Sequence, residues 1–161
     1  MGSTLLQARL GEPTAVPLLV GAVLREASRV DAAEIADAYH AAYDGEWTPT
    51  ESLEDIERAF DGGHGTLLPQ ASFVAVGDDG AILGAVLTVL DAPWDHTPRG
   101  PFVIDVFVLP MARGRGVGRA LMLAAMAGSP EPTIALRVER DNAVALELYE
   151  SLGFDEVAAP D

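Results

Sequence analysis

The sequence predicts an α/β domain built on a mixed sheet, and three observations carry that prediction. Apolar positions alternate along the chain between β-branched runs and segments repeating every three to four residues. The runs Ser72 to Val76 and Ile82 to Leu90 flank Gly77-Asp78-Asp79-Gly80 and read as a hairpin. A strand from Phe102 to Leu109, a helix to about Ala127 and a strand from Thr133 to Val138 form a β-α-β unit. That unit demands a parallel pair with a right-handed crossover. The 161 residues fit one domain, 1–161, with a core of ordinary size.

The elements follow in order. Leu5 to Leu10 and Val16 to Leu24 each read as a strand, separated by Gly11-Glu12-Pro13, so residues 1–20 are an N-terminal extension or an extra strand. Asp31 starts a helix, with Glu34 at capping-box spacing and Ile35, Ala38, Tyr39 and Ala42 on one face. Thr48-Pro49-Thr50-Glu51 opens a second helix by cap, first-turn proline and third-position Glu. Leu53, Ile56 and Phe60 are its buried face, and Gly62-Gly63 ends it. A Pro- and Asp-rich loop joins the hairpin to the strand at Phe102, whose apolar run is broken only by Asp105. Gly128 and Pro130 stop the long helix. Asn142 opens the last helix, which presents Ala145, Leu148, Tyr149 and Leu152 and is capped by Gly153 with Phe154 beside it.

Composition excludes several functions. Twenty-five acidic and ten basic residues give a net charge of −15, a surface that repels nucleic acid and anionic lipid and attracts cations. There is no cysteine, hence no disulfide, thiolate metal site or thiol nucleophile. His40, His64 and His96 lack metal-ligand spacing and read as surface residues, so no metal is expected. No apolar run reaches the ~20 residues of a membrane span and no signal peptide is evident, so a cytoplasmic protein is expected. All ten basic residues are Arg and Asn142 is the only Asn, the bias of a GC-rich bacterial genome.

Against this acidity, Arg113 to Ala120 reads RGRGVGRA between a strand and a helix. Gly114, Gly116 and Gly118 let backbone approach a ligand, and the helix start offers unpaired N–H groups to an anion. Three of the ten arginines fall within these positions, which points to phosphate or pyrophosphate. A Walker A loop is excluded for want of Gly-Lys-Ser/Thr, and the glycine spacing is not that of the dinucleotide fingerprint.

VFVLPMARGRGVGRAL, followed by NAVALELYESLGF, resembles the Gcn5-related N-acetyltransferase superfamily. Arg113, Gly116 and Gly118 stand at the signature positions of the first motif; Asn142, Ala145, Tyr149 and Leu152-Gly153-Phe154 match the second. The resemblance implies two parallel strands that splay apart around acetyl-CoA. Main-chain groups of Val106, Phe107 and Val108 would bond the pantetheine arm. The backbone of Gly114, Arg115, Gly116, Val117, Gly118 and Arg119, with charge from Arg113, would hold the pyrophosphate. Asn142 would bond the CoA arm, and Tyr149 would protonate the leaving thiolate. Asp105 is the candidate base for the incoming amine, ahead of Glu139 and His40.

The reaction so implied is acetyl transfer to a primary amine by direct attack. The alternative is an acyl-CoA-binding or regulatory module without turnover. The acceptor expected is a small amine, cationic because residues 31–61 hold ten carboxylates against Arg58, with Trp47 and Trp94 in loops at the mouth. A monomer or homodimer is expected. The family's usual C-terminal hairpin has room here for one short strand after Gly153, so the N-terminal strand or a second subunit is expected to fill its place.

Overall fold

The computed structural model describes residues 2–161. The strands are β1 (Ser3–Arg9), β2 (Ala22–Glu26), β3 (Thr66–Leu67), β4 (Phe73–Gly77), β5 (Ile82–Leu90), β6 (Pro101–Val108), β7 (Thr133–Glu139) and β8 (Asp155–Glu156). The helices are α1 (Ala32–Ala42), α2 (Pro49–Phe60), α3 (Val117–Gly128) and α4 (Ala143–Ser151). One mixed sheet runs in the order β2-β4-β5-β6-β7-β1-β8, with β3 added to β5. Among the described residues no helix is long and apolar enough to cross a membrane.

Helices cover both faces. Ile35, Ala38 and Tyr39 of α1 and Ile56 and Ala59 of α2 pack on Leu87 and Phe107. Val117, Leu121, Met122 and Ala125 of α3, joined by Tyr149 of α4, pack on Val86, Leu136 and Phe154 from the other side. β5 is buried along all but its last residue, as expected of a strand covered on both faces. Each Ile or Leu so enclosed contributes ~1.5–3 kcal/mol.

Caps formed largely where the sequence placed them. Thr48 and Glu51 make a reciprocal capping box, with Pro49 in the first turn of α2. Gly153 adopts φ 94 after α4, and Phe154 N–H donates to the Tyr149 carbonyl at 3.0 Å. The box before α1 lies three residues earlier than expected. Ser28 and Asp31 form it around a 3-10 turn, Asp31 making no cap to α1. Asp31 instead takes both guanidinium nitrogens of Arg25 at 2.8 Å, which holds its carboxyl below the usual range.

The N-terminal region departs most from expectation. Of the run Val16 to Leu24 only the end is strand, and β2 continues to Glu26. Leu18 and Val20 are 100% and 92% exposed, because they precede the register in which β2 meets β4. β1 and β2 do not pair with each other; they lie far apart in the strand order. β1 runs antiparallel to β7 over seven residues, from Ser3↔Glu139 to Arg9↔Thr133. It thus fills the place beside β7, and the short β8 pairs with it through Leu6 and Gln7.

Candidate functional site

The parallel pairing of β6 with β7 is confined to Phe102↔Ala135 and Val103↔Leu136. β6 continues for five residues along β5 while β7 pairs with β1, so the two strands part. A cavity of about 510 Å3 lies at the parting, lined by residues of β6, β7, α1 and α4 and by the loop between α1 and α2.

A bulge decides what faces it. Leu87 of β5 pairs with Asp105, but its neighbour Thr88 pairs with Val103, leaving Ile104 without a partner. The extra residue shifts the alternation of side chains by one. Val103 and Val106 therefore pack toward α3, while Ile104 and Phe107 pack toward α1 and α2. Asp105 turns with them, and its charge is felt by Tyr39 and Tyr43 from α1 and the residue after it. Burial, reinforced by the negative charge of Asp55, pushes the Asp105 carboxyl up to about 8. That is the range a general base needs near neutral pH.

Tyr149 lines the same cavity from α4 and is 7% exposed, its ring 5.9 Å from that of Phe154. Burial pushes its phenol up to about 12, so it carries its proton at neutral pH. A carboxyl and a phenol, both with raised pKa values, thus come from different elements to one cavity. Asn142 also lines it, but its Oδ1 accepts from Ala145 N–H at 3.2 Å and caps α4. Glu139 is exposed at the end of β7 and lines the cavity.

The glycine loop sits where β6 leads into α3. Gly114 and Gly116 have φ 78 and 80, a region closed to most side chains, and Gly116 is the N-cap of α3. No side chain caps this helix. Its first-turn N–H groups, in Val117, Gly118 and Arg119, are thus available to an anion. Gly118 has ordinary room for a methyl group, 3.6 Å from Val108 and 3.8 Å from Leu148. The three arginines differ in use. Arg113 Nε donates to the Val108 carbonyl and its Nη2 to the Ala42 carbonyl, at 3.0 and 2.9 Å, tying the loop to α1. Arg119 donates to Ser151 Oγ at 2.9 Å, and Arg115 is exposed. The Val108 carbonyl is thus engaged by Arg113.

Trp47 lines the cavity and is 42% exposed. Trp94 lies elsewhere, its ring 5.3 Å from His64 and 6.3 Å from Phe102. His64 and His40 are half-buried rather than surface residues. His64 is held by Asp55 at 3.0 Å beneath Trp94, and His40 has its Nδ1 buried without a partner. Sequence reasoning assigned Tyr39 to the core, counted Glu46 only as one of ten carboxylates and passed over Tyr43; all three line the cavity. The one available signal was Tyr43 standing four residues after Tyr39, on the same helical face.

Comparison with known proteins agrees with this geometry. The chain is 37% identical over 136 residues to a mycothiol acetyltransferase of Rhodococcus erythropolis, covering 78% of this chain and 43% of the relative. It is 34% identical over 167 residues to a mycothiol acetyltransferase of Mycobacterium avium, covering 88% and 49%. The chain thus spans about half the length of these relatives. Among solved structures, a GCN5-related N-acetyltransferase from Sphaerobacter thermophilus superposes with a TM-score of 0.74 at 20% identity, covering 97% of this chain and 48% of that one. An aminoglycoside N-acetyltransferase crystallised with CoA superposes with a TM-score of 0.66 at 22% identity, covering 91% and 96%. Residues 32–154 match the family described as Acetyltransferase (GNAT), a span that takes in the parted strands, the glycine loop and Tyr149 together. The chain belongs to that family.

Proposed function

We propose that this chain is an acetyl-CoA-dependent N-acetyltransferase that acts on the primary amine of a small, cationic acceptor. The observation that carries the proposal is the meeting of Asp105 and Tyr149 in the cavity where β6 and β7 part. Acetyl-CoA fits the protein at three points: the uncapped start of α3, the positive-φ glycines before it, and the parted edge of β6. Acetyl-CoA supplies the activated acetyl group.

In this reading the backbone from Gly114 to Arg119 holds the pyrophosphate, with Arg115 contributing charge. Arg113 braces the loop from behind. Main-chain groups of Val106, with the Val108 N–H, bond the pantetheine arm; those of Phe107, expected to share in this, point to Ala85 of β5 instead, and the Asn142 amide nitrogen remains free to reach the arm while Oδ1 caps α4. An alkyl ammonium has a pKa of ~10 and must lose a proton before attack. Asp105 takes that proton, directly or through water. The amine nitrogen forms a bond to the acetyl carbon, the carbon–sulfur bond breaks, and Tyr149 gives its proton to the departing thiolate. Because Asp105 must be ionised to act, the rate rises with pH through its raised pKa.

A cationic acceptor is supported by the ten carboxylates between residues 31 and 61 and by Glu46 and Trp47 lining the cavity. The decisive experiment is thiol release from acetyl-CoA across an amine panel. Acetylation of basic amines supports the proposal. Saturable CoA binding without thiol release for any amine supports the alternative, a non-catalytic acyl-CoA-binding module.

A further inference from the structure

The end of α1 is closed by a residue of the glycine loop. The last four carbonyls of a helix have no partner within it. For α1 the chain that follows supplies three donors. Tyr43 N–H donates to the Tyr39 carbonyl and Gly45 N–H to that of His40, both at 3.1 Å, and Asp44 N–H to that of Ala41 at 3.2 Å. The fourth carbonyl, of Ala42, accepts from Arg113 Nη2 at 2.9 Å, across 71 positions of sequence. The same guanidinium donates through Nε to the Val108 carbonyl at 3.0 Å, so it bridges β6 and α1. Among the described residues no carboxylate pairs with Arg113. A cation at a helix C-terminus is favoured by the helix dipole. Beyond Ala42 the chain reverses through Asp44 at φ 53 and Gly45 at φ 71. A residue with a side chain adopts that conformation at a cost, so the reversal depends on the bonds that flank it. Glu46 N–H then donates to the Tyr43 carbonyl at 3.1 Å, and Tyr43, Glu46 and Trp47 line the cavity where β6 and β7 part.

We infer that Arg113 is a positioning residue for the acceptor side: by closing the end of α1 it fixes where Tyr43, Glu46 and Trp47 stand around the cavity. Its place in an arginine-rich loop invites the other assignment, a charge for the pyrophosphate. Its Nε and Nη2 are instead spent on two carbonyls of other elements. The phosphate is left to the loop backbone and to Arg115, which is exposed. Charge and position are separable at this residue. Lysine keeps the charge, but a single ammonium lacks the planar fork that reaches two carbonyls at once. The inference rests on the acetyl-transfer reading for what the cavity receives, but the hold of Arg113 on α1 is tested on the protein alone.

The experiment compares Arg113→Ala and Arg113→Lys with wild type. Calorimetry reads CoA affinity, amide hydrogen exchange reads the end of α1, and kinetics with acetyl-CoA and 1,4-diaminobutane read the acceptor side. In both variants exchange at Tyr43, Gly45 and Glu46 should quicken about tenfold and acceptor KM should rise about tenfold, the scale of one charge-assisted hydrogen bond. CoA affinity should stay within about threefold of wild type, a shift smaller than such a bond. Arg115→Ala should give the reverse split, with weaker CoA binding and unmoved exchange and acceptor KM. A CoA affinity that falls with Arg113→Ala and returns with Arg113→Lys, while acceptor KM holds, overturns the inference and makes Arg113 a phosphate contact. Exchange or acceptor KM unmoved in both Arg113 variants overturns it too. Circular dichroism confirms folding, and Arg113→Lys decides alone if Arg113→Ala does not fold. Absence of thiol release from acetyl-CoA with any amine overturns the transfer reading instead, and exchange with CoA calorimetry still decides whether Arg113 serves α1 or phosphate.

Discussion

On the α3 side of the parted strands, Arg113, Arg115 and Arg119 fall within seven residues and no acid intervenes; on the α1 and α2 side, residues 31–61 hold ten carboxylates against Arg58. The first side is made of backbone. It offers amides at a helix start that no side chain caps and glycines at positive φ. The second side is made of side chains from α1, α2 and β6 that converge only in the folded state. The two sides thus differ in charge and meet at the cavity that Asp105 and Tyr149 line. The contrast also sorts the glycines. A methyl group on Gly128 would collide with the Gln70 carbonyl and one on Gly84 would lie 2.6 Å from the Phe107 carbonyl, so packing demands both. Gly118 has room, so packing does not demand its lack of a side chain.

The sharpest break in this comparison is Gly116→Glu, which places a negative side chain at φ 80 where phosphate is expected. CoA binding should fall below detection by calorimetry while binding of amines persists; unchanged CoA affinity would remove the backbone side from the scheme. Next in size is Tyr149→Phe, which keeps the ring and loses the proton. Turnover should drop ~10²-fold with CoA affinity intact. An undiminished steady-state rate would make Tyr149 a core residue only.

Asp105→Asn probes the other side by two readouts. Wild-type kcat/KM should climb as pH rises through about 8, and the variant should lose that inflection together with ~10²-fold in rate. The stability effect has the opposite sign. The folded carboxyl keeps its proton up to about 8, whereas in the unfolded chain it ionises near 3.8. Its protonation therefore favours the folded state at low pH, and that benefit is lost as pH rises through 8. Asp105→Asn should melt higher than wild type at pH 9, and thermal scans at pH 6 and 9 would show whether it does.

Smaller still is Gly118→Ala. The melting temperature should stay put while CoA affinity weakens several-fold; destabilisation with unaltered affinity would return Gly118 to the packing class. The mildest effect is that of salt. Acceptor kcat/KM should decline as ionic strength passes ~0.1 M, where the Debye length is ~10 Å, and a flat profile would detach the acidic face from substrate choice.

Local rules made much of this molecule legible. The capping boxes, the Gly77–Gly80 turn, the alternating glycines and the Tyr149 motif each act over a few residues, so their spacing can be read directly. The arginine-rich loop stood out for the same reason, and its place at the start of α3 follows from the strand before it and the helix after it. Asp105 was visible as the lone charge in an apolar strand, but not the direction it faces. A plain period-two strand would turn it toward α3; the bulge at Ile104 turns it toward Tyr39 and Asp55. Nothing in eight residues of β6 specifies a bulge, because it is set by how β5 and β6 register against two helical layers.

The same limit governs the rest. Pairing of β1 with β7 joins residues more than 120 positions apart, and the burial of His64 beneath Trp94 depends on two loops meeting. The chain by itself determined its helices, its turns and a glycine-rich loop whose backbone opens α3, because those energies are local. Only the tertiary structure decided which carboxylates gather around the cavity, which arginine braces and which is free, and how far Asp105 is lifted toward neutrality. Burial and charge–charge distance are properties of packed elements, and no spacing along the chain encodes them.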